Sequence, residues 1–328
     1  MGSRLEDLKE LKVVVTGGAG FIGSHLVEKL APLCREVVVY DNFDEYYTGK
    51  EDNLKRALQM ENVKLVRGDI LDFNLLRGVL KEAHVVFHLA AQPGVRFSLE
   101  NPFKTVKVNV DGTLNVLKAS LQANVKRVVF ASSSSVYGNP TYVPVDEDHP
   151  KRPISIYGAS KLAAEELCST FYRLFNLDVV ALRYHTVYGP RQRPDMAFHK
   201  WIKAALTGKP IVIYGDGSQE RDFTYIDDAV EATIASAVAE GVEGMVFNVA
   251  RGSPIKVMDA VKAIVEEVGV DVEVVHEEPK PGDVKATYGD ISRASKILGY
   301  RPKVSLREGI REMVSWLKER LKKGRGLA

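Results

Sequence analysis

The chain has 328 residues, 45 % of them apolar and 27 % charged, values ordinary for a folded globular protein. They exclude disorder, a collagen-like repeat and a disulfide-stapled miniature domain. Lys and Arg number 45 against 43 Asp and Glu, a formal net charge of +2, so no global field is available to hold nucleic acid or an anionic membrane.

The length predicts about two domains around a large core. Cys34 and Cys168 are too few for a disulfide framework and lack the paired spacing of a zinc site, and the seven histidines include no H-E-x-x-H. A metal-free protein of a reducing compartment is expected. The opening MGSRLEDLKELK has no signal-like apolar stretch, and no run approaches the roughly 18 apolar residues of a membrane span. A soluble, cytoplasmic chain follows as the expectation.

In chain order, strands are predicted at Lys12–Thr16, Glu36–Asp41, Val63–Arg67, His84–Leu89, Arg127–Ser132, Val179–Tyr184 and Phe247–Val249, with helical patterns between most of them. Continuous Val/Ile-rich strands separated by helices indicate a doubly wound α/β fold, a parallel sheet covered on both faces. After about residue 185 the rhythm changes, with GPRQRP and GDGSQERD as punctuation, a short unit at Val272–His276 and a basic terminal helix at Leu306–Lys322. The expected division is a first domain over 1–185, with 223–250 returning to its sheet. A smaller α/β domain comprises 186–222 and 251–328.

The first predicted strand runs into TGGAGFIGSHLVEKL, where Gly17, Gly20 and Gly23 form G-x-x-G-x-x-G before a helix whose apolar face continues through Ile22, Leu26 and Leu30. Such glycines permit a tight turn and close approach of a pyrophosphate to the free N–H groups of a helix start. The second strand ends in Asp41, 18 residues after Gly23, with no Lys or Arg in the Asn42-Phe43-Asp44-Glu45 that follows. A carboxylate there accepts ribose hydroxyls and repels a 2′-phosphate, favouring NAD over NADP. Asp69 and Ile70 after the third strand are candidates to bracket the adenine; Asp69 equally suits a cap of the next helix.

YGASK places Tyr157 and Lys161 one helical turn apart, on one face of a helix that continues through Leu162, Leu167, Phe171 and Leu174. The strand ending in ASSSSVYG delivers Ser132 to Ser135 to the carboxyl edge of the same sheet, where open α/β sheets bind ligands. Hydroxyl, phenol and ammonium are thus expected to converge.

Together these segments resemble the extended short-chain dehydrogenase/reductase family and, within it, the NAD-dependent nucleotide-sugar epimerases. The likeness covers nearly the whole chain, through TGGAGFIGSH, DNF, HLAAQPGVRFSLENP, SSSSVYG, YGASK, RYHTVYGPRQRPDMAF, GDGSQERDFTYIDD and PGDV. It implies Tyr157 as acid/base, Lys161 as the ribose-binding cation that lowers the tyrosine pKa, and Ser133 as the hydroxyl bonding the substrate, with Ser134 accessory. The implied cofactor set is Gly17, Gly20, Phe21, Ile22, Gly23, Asp41, Asn42, Asp69, Ile70, Leu89, Ala90, Ala91, Asn109, Ser132, Tyr157, Lys161, Tyr184 and His185. For the substrate, Arg221 matches a phosphate-binding arginine and Asp283 a ribose-binding aspartate. Lys280 stands where the family often has arginine, and Tyr214 is a platform for uracil.

TVYGPRQRPDMAF resembles UDP-glucuronate 4-epimerases more than UDP-glucose 4-epimerases, which often carry Asn where Thr186 stands. A uronate needs a donor for its carboxylate, and Arg193 and Arg96 are the candidates. Alternatives are a UDP-glucose 4-epimerase, a 4,6-dehydratase, a UDP-glucuronate decarboxylase and a non-catalytic NAD-binding regulator. Ser134 and Ser135 occupy the places of the dehydratases' acidic pair and argue against elimination. The likeness further implies a homodimer through the apolar helices around Val106–Leu121 and Tyr157–Phe175.

Overall fold

The structure, a computed structural model, describes residues 8–278 and 285–324. Strands β1 (Lys12–Thr16), β2 (Glu36–Asp41), β3 (Val63–Arg67), β4 (Val85–His88), β5 (Arg127–Ser133) and β6 (Val179–Tyr184) are followed by β7 (Thr186–Tyr188), β8 (Ile211–Tyr214), β9 (Glu220–Arg221), β10 (Phe223–Tyr225), β11 (Val246–Val249), β12 (Ile255–Lys256), β13 (Val274–Glu277) and β14 (Ala286–Thr287). Seven of them form one parallel sheet in the order β11-β6-β5-β4-β1-β2-β3. Val13 and Val15 of β1 join one buried cluster and Val14 another, which is why the strand is apolar at every position: alternate side chains face opposite covered sides.

The helices are α1 (Phe21–Leu30), α2 (Lys50–Leu54), α3 (Phe73–Val79), α4 (Val95–Glu100), α5 (Pro102–Val106), α6 (Gly112–Gln122), α7 (Ile156–Phe175), α8 (Ala197–Leu206), α9 (Ile226–Val238), α10 (Val257–Val268), α11 (Ser292–Ile297) and α12 (Leu306–Lys322). The chain builds β1-β2-β3 to one side and β4-β5-β6 to the other, so a crevice opens at the carboxyl ends of β1 and β4, where the winding reverses. Beyond β6 the small sheets β10-β7, β12-β9-β14 and β13-β8 form beside α8, α10 and α12, which pack on one another.

The predicted strands differ from the observed ones only at their ends. β4 omits His84 and Leu89, although their amides still bond to the Lys12 and Thr16 carbonyls of β1, at 2.9 and 3.0 Å. The helix expected over Val106–Leu121 is interrupted by a π turn at Lys107–Asp111. Its buried Asn109 accepts from the Gln92 amide at 2.7 Å and donates to the Gln92 carbonyl at 3.1 Å and to Ser160 Oγ at 2.9 Å, so one extra residue is spent to aim that side chain inward. Among the described residues no helix is long and apolar enough to cross a membrane.

Candidate active site

A cavity of about 430 Å³ lies at the crevice. Its floor is the turn between β1 and α1. Gly17 adopts φ 71°, and a β-carbon there would stand 2.6 Å from the Ala90 nitrogen, so only glycine lets this turn lie against the end of β4. α1 begins at Gly20 with no side-chain cap and no acidic residue in its first turn, leaving an electropositive helix end in the cavity wall. Asp41 closes β2, its Oδ2 accepting from the Ala19 amide at 3.0 Å and its Oδ1 from Phe43 at 2.8 Å. Each oxygen retains a second lone pair for a ribose hydroxyl. The glycine cradle, the bare helix start and this carboxylate fit a dinucleotide.

Gly17, Gly20, Phe21, Ile22, Gly23, Asp41, Asn42, Asp69, Ile70, Leu89, Ala90, Ala91, Ser132, Tyr184 and His185 all line this cavity. Within it Asn42 donates to Asp69 at 2.9 Å, and Asp69 turns its other oxygen to the Leu71 amide at 2.8 Å. The cap of α3 is Asp72, accepting from Leu75 at 3.0 Å, so the capping alternative for Asp69 falls away. Tyr184 has its hydroxyl engaged with Thr233 at 2.6 Å and offers its ring, and Ser132 gives its hydroxyl to buried Glu165 at 2.7 Å. The His185 ring is buried, and its Nε2 has no hydrogen-bond partner among the described residues. Asn109 does not line the cavity: its amide is spent on Gln92 and Ser160, making it a brace behind the wall.

The reactive side chains arrive on α7 and the β5 turn. Ser155 caps α7 by accepting from the Gly158 amide at 3.0 Å, and Ser98 of α4 accepts from the Tyr157 amide at 3.1 Å, fixing the phenol's root. Gly158 is needed because a β-carbon there would come within 2.5 Å of the Ser135 carbonyl oxygen; its absence lets α7 close on the serine turn. Ser133 accepts from the Ser135 amide at 3.1 Å and hydrogen-bonds the Tyr157 phenol. Burial raises the Tyr157 pKa above its ordinary value, opposed by the positive field of Arg193 and by the Ser133 hydroxyl.

That differs from the expected coupling, in which Lys161 lowers the phenol. The Lys161 ammonium lies 4.6 Å from the centre of the Phe130 ring, with burial pushing its pKa down to about 8 against the fields of Cys168 and Glu165. Arg193, which lines the cavity, is the cation whose field reaches Tyr157.

Ser133, Ser134, Tyr157, Lys161, Thr186 and Arg193 therefore share one cavity. Arg96 and Tyr214 lie outside its walls and on each other, the guanidinium 4.6 Å over the ring, while Arg221 donates to the Glu220 carbonyl at 2.8 Å and is also outside. Lys280 and Asp283 fall outside the described residues.

A family model described as GDP-mannose 4,6-dehydratase matches residues 14–313. A UDP-glucuronate 4-epimerase of Thermodesulfobacterium geofontis is 40 % identical over 314 residues, covering 94 % of this chain and 96 % of that one. The chain belongs to the extended short-chain dehydrogenase/reductase family of nucleotide-sugar epimerases. Two solved members of the family are similar throughout. The UDP-glucuronic acid 4-epimerase of Bacillus cereus in complex with UDP-glucuronic acid and NAD has 38 % identity and a TM-score of 0.89, with 94 % of this chain and 99 % of that one covered. The UDP-glucose 4-epimerase of Thermotoga maritima with UDP-glucose has 36 % identity and a TM-score of 0.89, with 95 % and 100 % covered.

Several cavity residues of this epimerase-family chain escaped the sequence reading. Tyr46, Tyr47 and Lys50 come from the segment after β2, and Gln92 from the segment after β4. Lys50 is buried beside Asp44, donating to its carbonyl at 2.5 Å, in a position that the absence of Lys or Arg immediately after Asp41 did not foretell. Asp195, two residues beyond Arg193, forks with that arginine, and the R-P-D spacing was the available signal.

Proposed function

We propose that the protein is an NAD-dependent UDP-sugar 4-epimerase, interconverting UDP-glucuronate and UDP-galacturonate in preference to UDP-glucose and UDP-galactose. The observation that carries the reading is the convergence of Ser133, Tyr157, Lys161 and Arg193 on a cavity floored by the Gly17–Gly23 turn. Gly17, Gly20 and the start of α1 would hold the pyrophosphate of NAD, Asp41 its adenosine ribose, and Lys161 its nicotinamide ribose. When bound, NAD supplies the acceptor for a hydride from the sugar carbon and gives that hydride back.

Tyr157 as phenolate takes the proton of the sugar hydroxyl as the carbon–hydrogen bond breaks, leaving a 4-keto sugar. Once the ketose has turned and received hydride on its other face, Tyr157 returns the proton, and the balance is one inverted carbon. A phenol with pKa about 10 needs about 4 kcal/mol of phenolate stabilisation to act near pH 7. Burial opposes this, and Arg193 and the Ser133 hydroxyl are the protein's available sources.

For the sugar, Arg193 is the donor suited to a uronate carboxylate, since it lines the same cavity as Tyr157, whereas Arg96 does not. A hydrogen bond to a charged group is worth about 1.5–3 kcal/mol, roughly ten- to a hundredfold in selectivity. The test assays wild type and Arg193→Met on both UDP-sugars with products identified by NMR. A larger loss on UDP-glucuronate supports the reading, equal losses sink the carboxylate role, and release of carbon dioxide would favour the decarboxylase instead.

The division of labour proposed is a cofactor part, 1–185 with 223–250, and a nucleotide-diphosphate part, 186–222 and 251–328, with Arg221, Lys280, Asp283 and Tyr214 as tether. Leu99, Phe103, Val106, Leu114, Leu174 and Phe175 are exposed on α4 to α7, Phe103 at 90 %, and a second copy of the chain is their proposed cover. Sedimentation at the mass of a single 36.3 kDa chain would refute the dimer. A cytoplasmic setting is proposed on the two cysteines, which are separate buried thiols.

A further inference from the structure

Arg193 and Asp195 flank Pro194. The Arg193 Nε–H donates to Asp195 Oδ1 at 2.9 Å and an Nη2–H donates to Oδ2 at 3.1 Å, a two-pronged fit that holds the guanidinium plane in one orientation. Asp195 is itself steadied: Tyr46 donates its hydroxyl to Oδ2 at 3.1 Å, and the Tyr46 ring stands edge-on to Phe97 with centres 4.9 Å apart. Tyr46 and Arg193 both line the cavity that holds Tyr157. A guanidinium has five N–H donors, so a fork that uses two leaves three for a ligand.

The fork has an electrostatic consequence. An arginine alone beside Tyr157 would present a full positive charge to whatever substituent the sugar carries. Paired with Asp195 it presents oriented donors with much of that charge compensated. A carboxylate arriving at those donors also meets the negative charge of Asp195, while a hydroxymethyl group accepts the same hydrogen bond with no such repulsion.

We propose that Asp195, steadied by Tyr46, is a specificity-determining positioning residue: it aims Arg193 into the site and moderates the preference for an anionic over a neutral sugar. The proposal rests on the reading that a UDP-sugar lies between Tyr157 and Arg193. Asp195→Asn keeps an acceptor and removes the charge; Asp195→Glu keeps the charge on a longer arm.

The experiment compares these variants with wild type, all loaded with NAD, measuring kcat and KM on UDP-glucuronate and UDP-glucose and calorimetric affinity for both. Asp195→Asn is expected to raise the affinity ratio of UDP-glucuronate over UDP-glucose roughly tenfold, mainly through KM, and Asp195→Glu to restore the ratio toward wild type. A second readout is independent of the sugar. Tyr157 faces Arg193 and the Ser133 hydroxyl, with Lys161 one turn along α7, while Arg193 faces Asp195, Tyr46 and Tyr47. Removing the Asp195 charge strengthens the positive field at the phenol, so the acid limb of kcat/KM should move to lower pH. An unchanged affinity ratio, or equal losses on both sugars with the acid limb in place, overturns the proposal. Turnover of neither sugar by wild type would instead refute the epimerase reading, and the calorimetric ratio would still decide the role of Asp195.

Discussion

Two arginine–carboxylate forks among the described residues lie in opposite surroundings. Arg183 and Glu165 are 2 % and 4 % exposed, with Nε donating to Oε2 at 3.0 Å and Nη2 to Oε1 at 2.5 Å. Further groups are engaged as well: Arg183 Nη1 donates to the Tyr137 hydroxyl at 2.9 Å and the Glu147 carbonyl at 2.8 Å, and Glu165 accepts from Ser132. Arg193 and Asp195 make the same two-pronged contact at 19 % and 38 % exposure, at the wall of the cavity. A fork sealed from solvent, with four of its five N–H donors engaged inside the fold, holds structure in place, here tying α7 to β5 and β6 behind the catalytic residues. A fork with donors left over can read a ligand.

Tyr157 offers the widest separation between these two roles. Its amide is anchored by Ser98 and its hydroxyl faces the cavity with Ser133, so Tyr157→Phe removes a reacting atom without opening the core. The expected result is a loss in kcat of about 10²- to 10⁴-fold with an unaltered melting temperature, measured by product NMR and calorimetry. Biological activity unchanged in Tyr157→Phe would return the non-catalytic regulator to favour.

Breaking the sealed fork should show the reverse pattern. Glu165→Gln leaves the Arg183 guanidinium buried without its counter-charge, a change that typically costs about 3–5 kcal/mol. Asp195→Asn, at a partly exposed pair, should cost no more than about 1 kcal/mol. Urea denaturation of both variants at pH 7 measures the contrast. Equal losses of stability would mean that the two forks do the same work.

What could be read from sequence follows the same division. The Gly17–Gly20–Gly23 turn, Asp41 and the Tyr157/Lys161 pair were legible because each is set by backbone geometry or by one helical turn. The seven strands were legible because both faces of the sheet are covered, which forces unbroken apolar runs. Tyr46, Tyr47 and Lys50 were not, since their place in the cavity depends on how the segment after β2 folds back over α1. Arg96 matched a motif, but its contact with Tyr214, 118 residues away, is decided by tertiary packing alone. The family resemblance implies Asn109 as a cofactor contact, whereas the π turn, which sequence does not reveal, engages its amide with Gln92 and Ser160.

A further expected effect is a slope with pH rather than a loss at one pH, and it belongs to a sealed site. His88, at the end of β4, is 1 % exposed between Thr16 Oγ1 at 2.8 Å and Thr113 Oγ1 at 3.0 Å. Burial, with the field of Lys161, pushes its pKa from 6.5 down to about 3. The folded chain therefore keeps this ring neutral at pH values where the unfolded chain has protonated it. Its contribution is complete above pH 6.5 and is lost as pH falls from there toward 3, at about 1.4 kcal/mol per pH unit, or about 2 kcal/mol by pH 5. Urea titrations at pH 7 and pH 5 should show that increment in wild type and a flatter dependence in His88→Gln. In the open fork, burial works to raise the Asp195 pKa, but Arg193 and Tyr46 hold it below the ordinary value, so that pair stays charged across the same interval. Asp195→Asn should consequently leave the wild-type slope intact; if it flattened the slope as His88→Gln does, the cavity-wall fork would be carrying fold stability and the distinction between the two forks would fail.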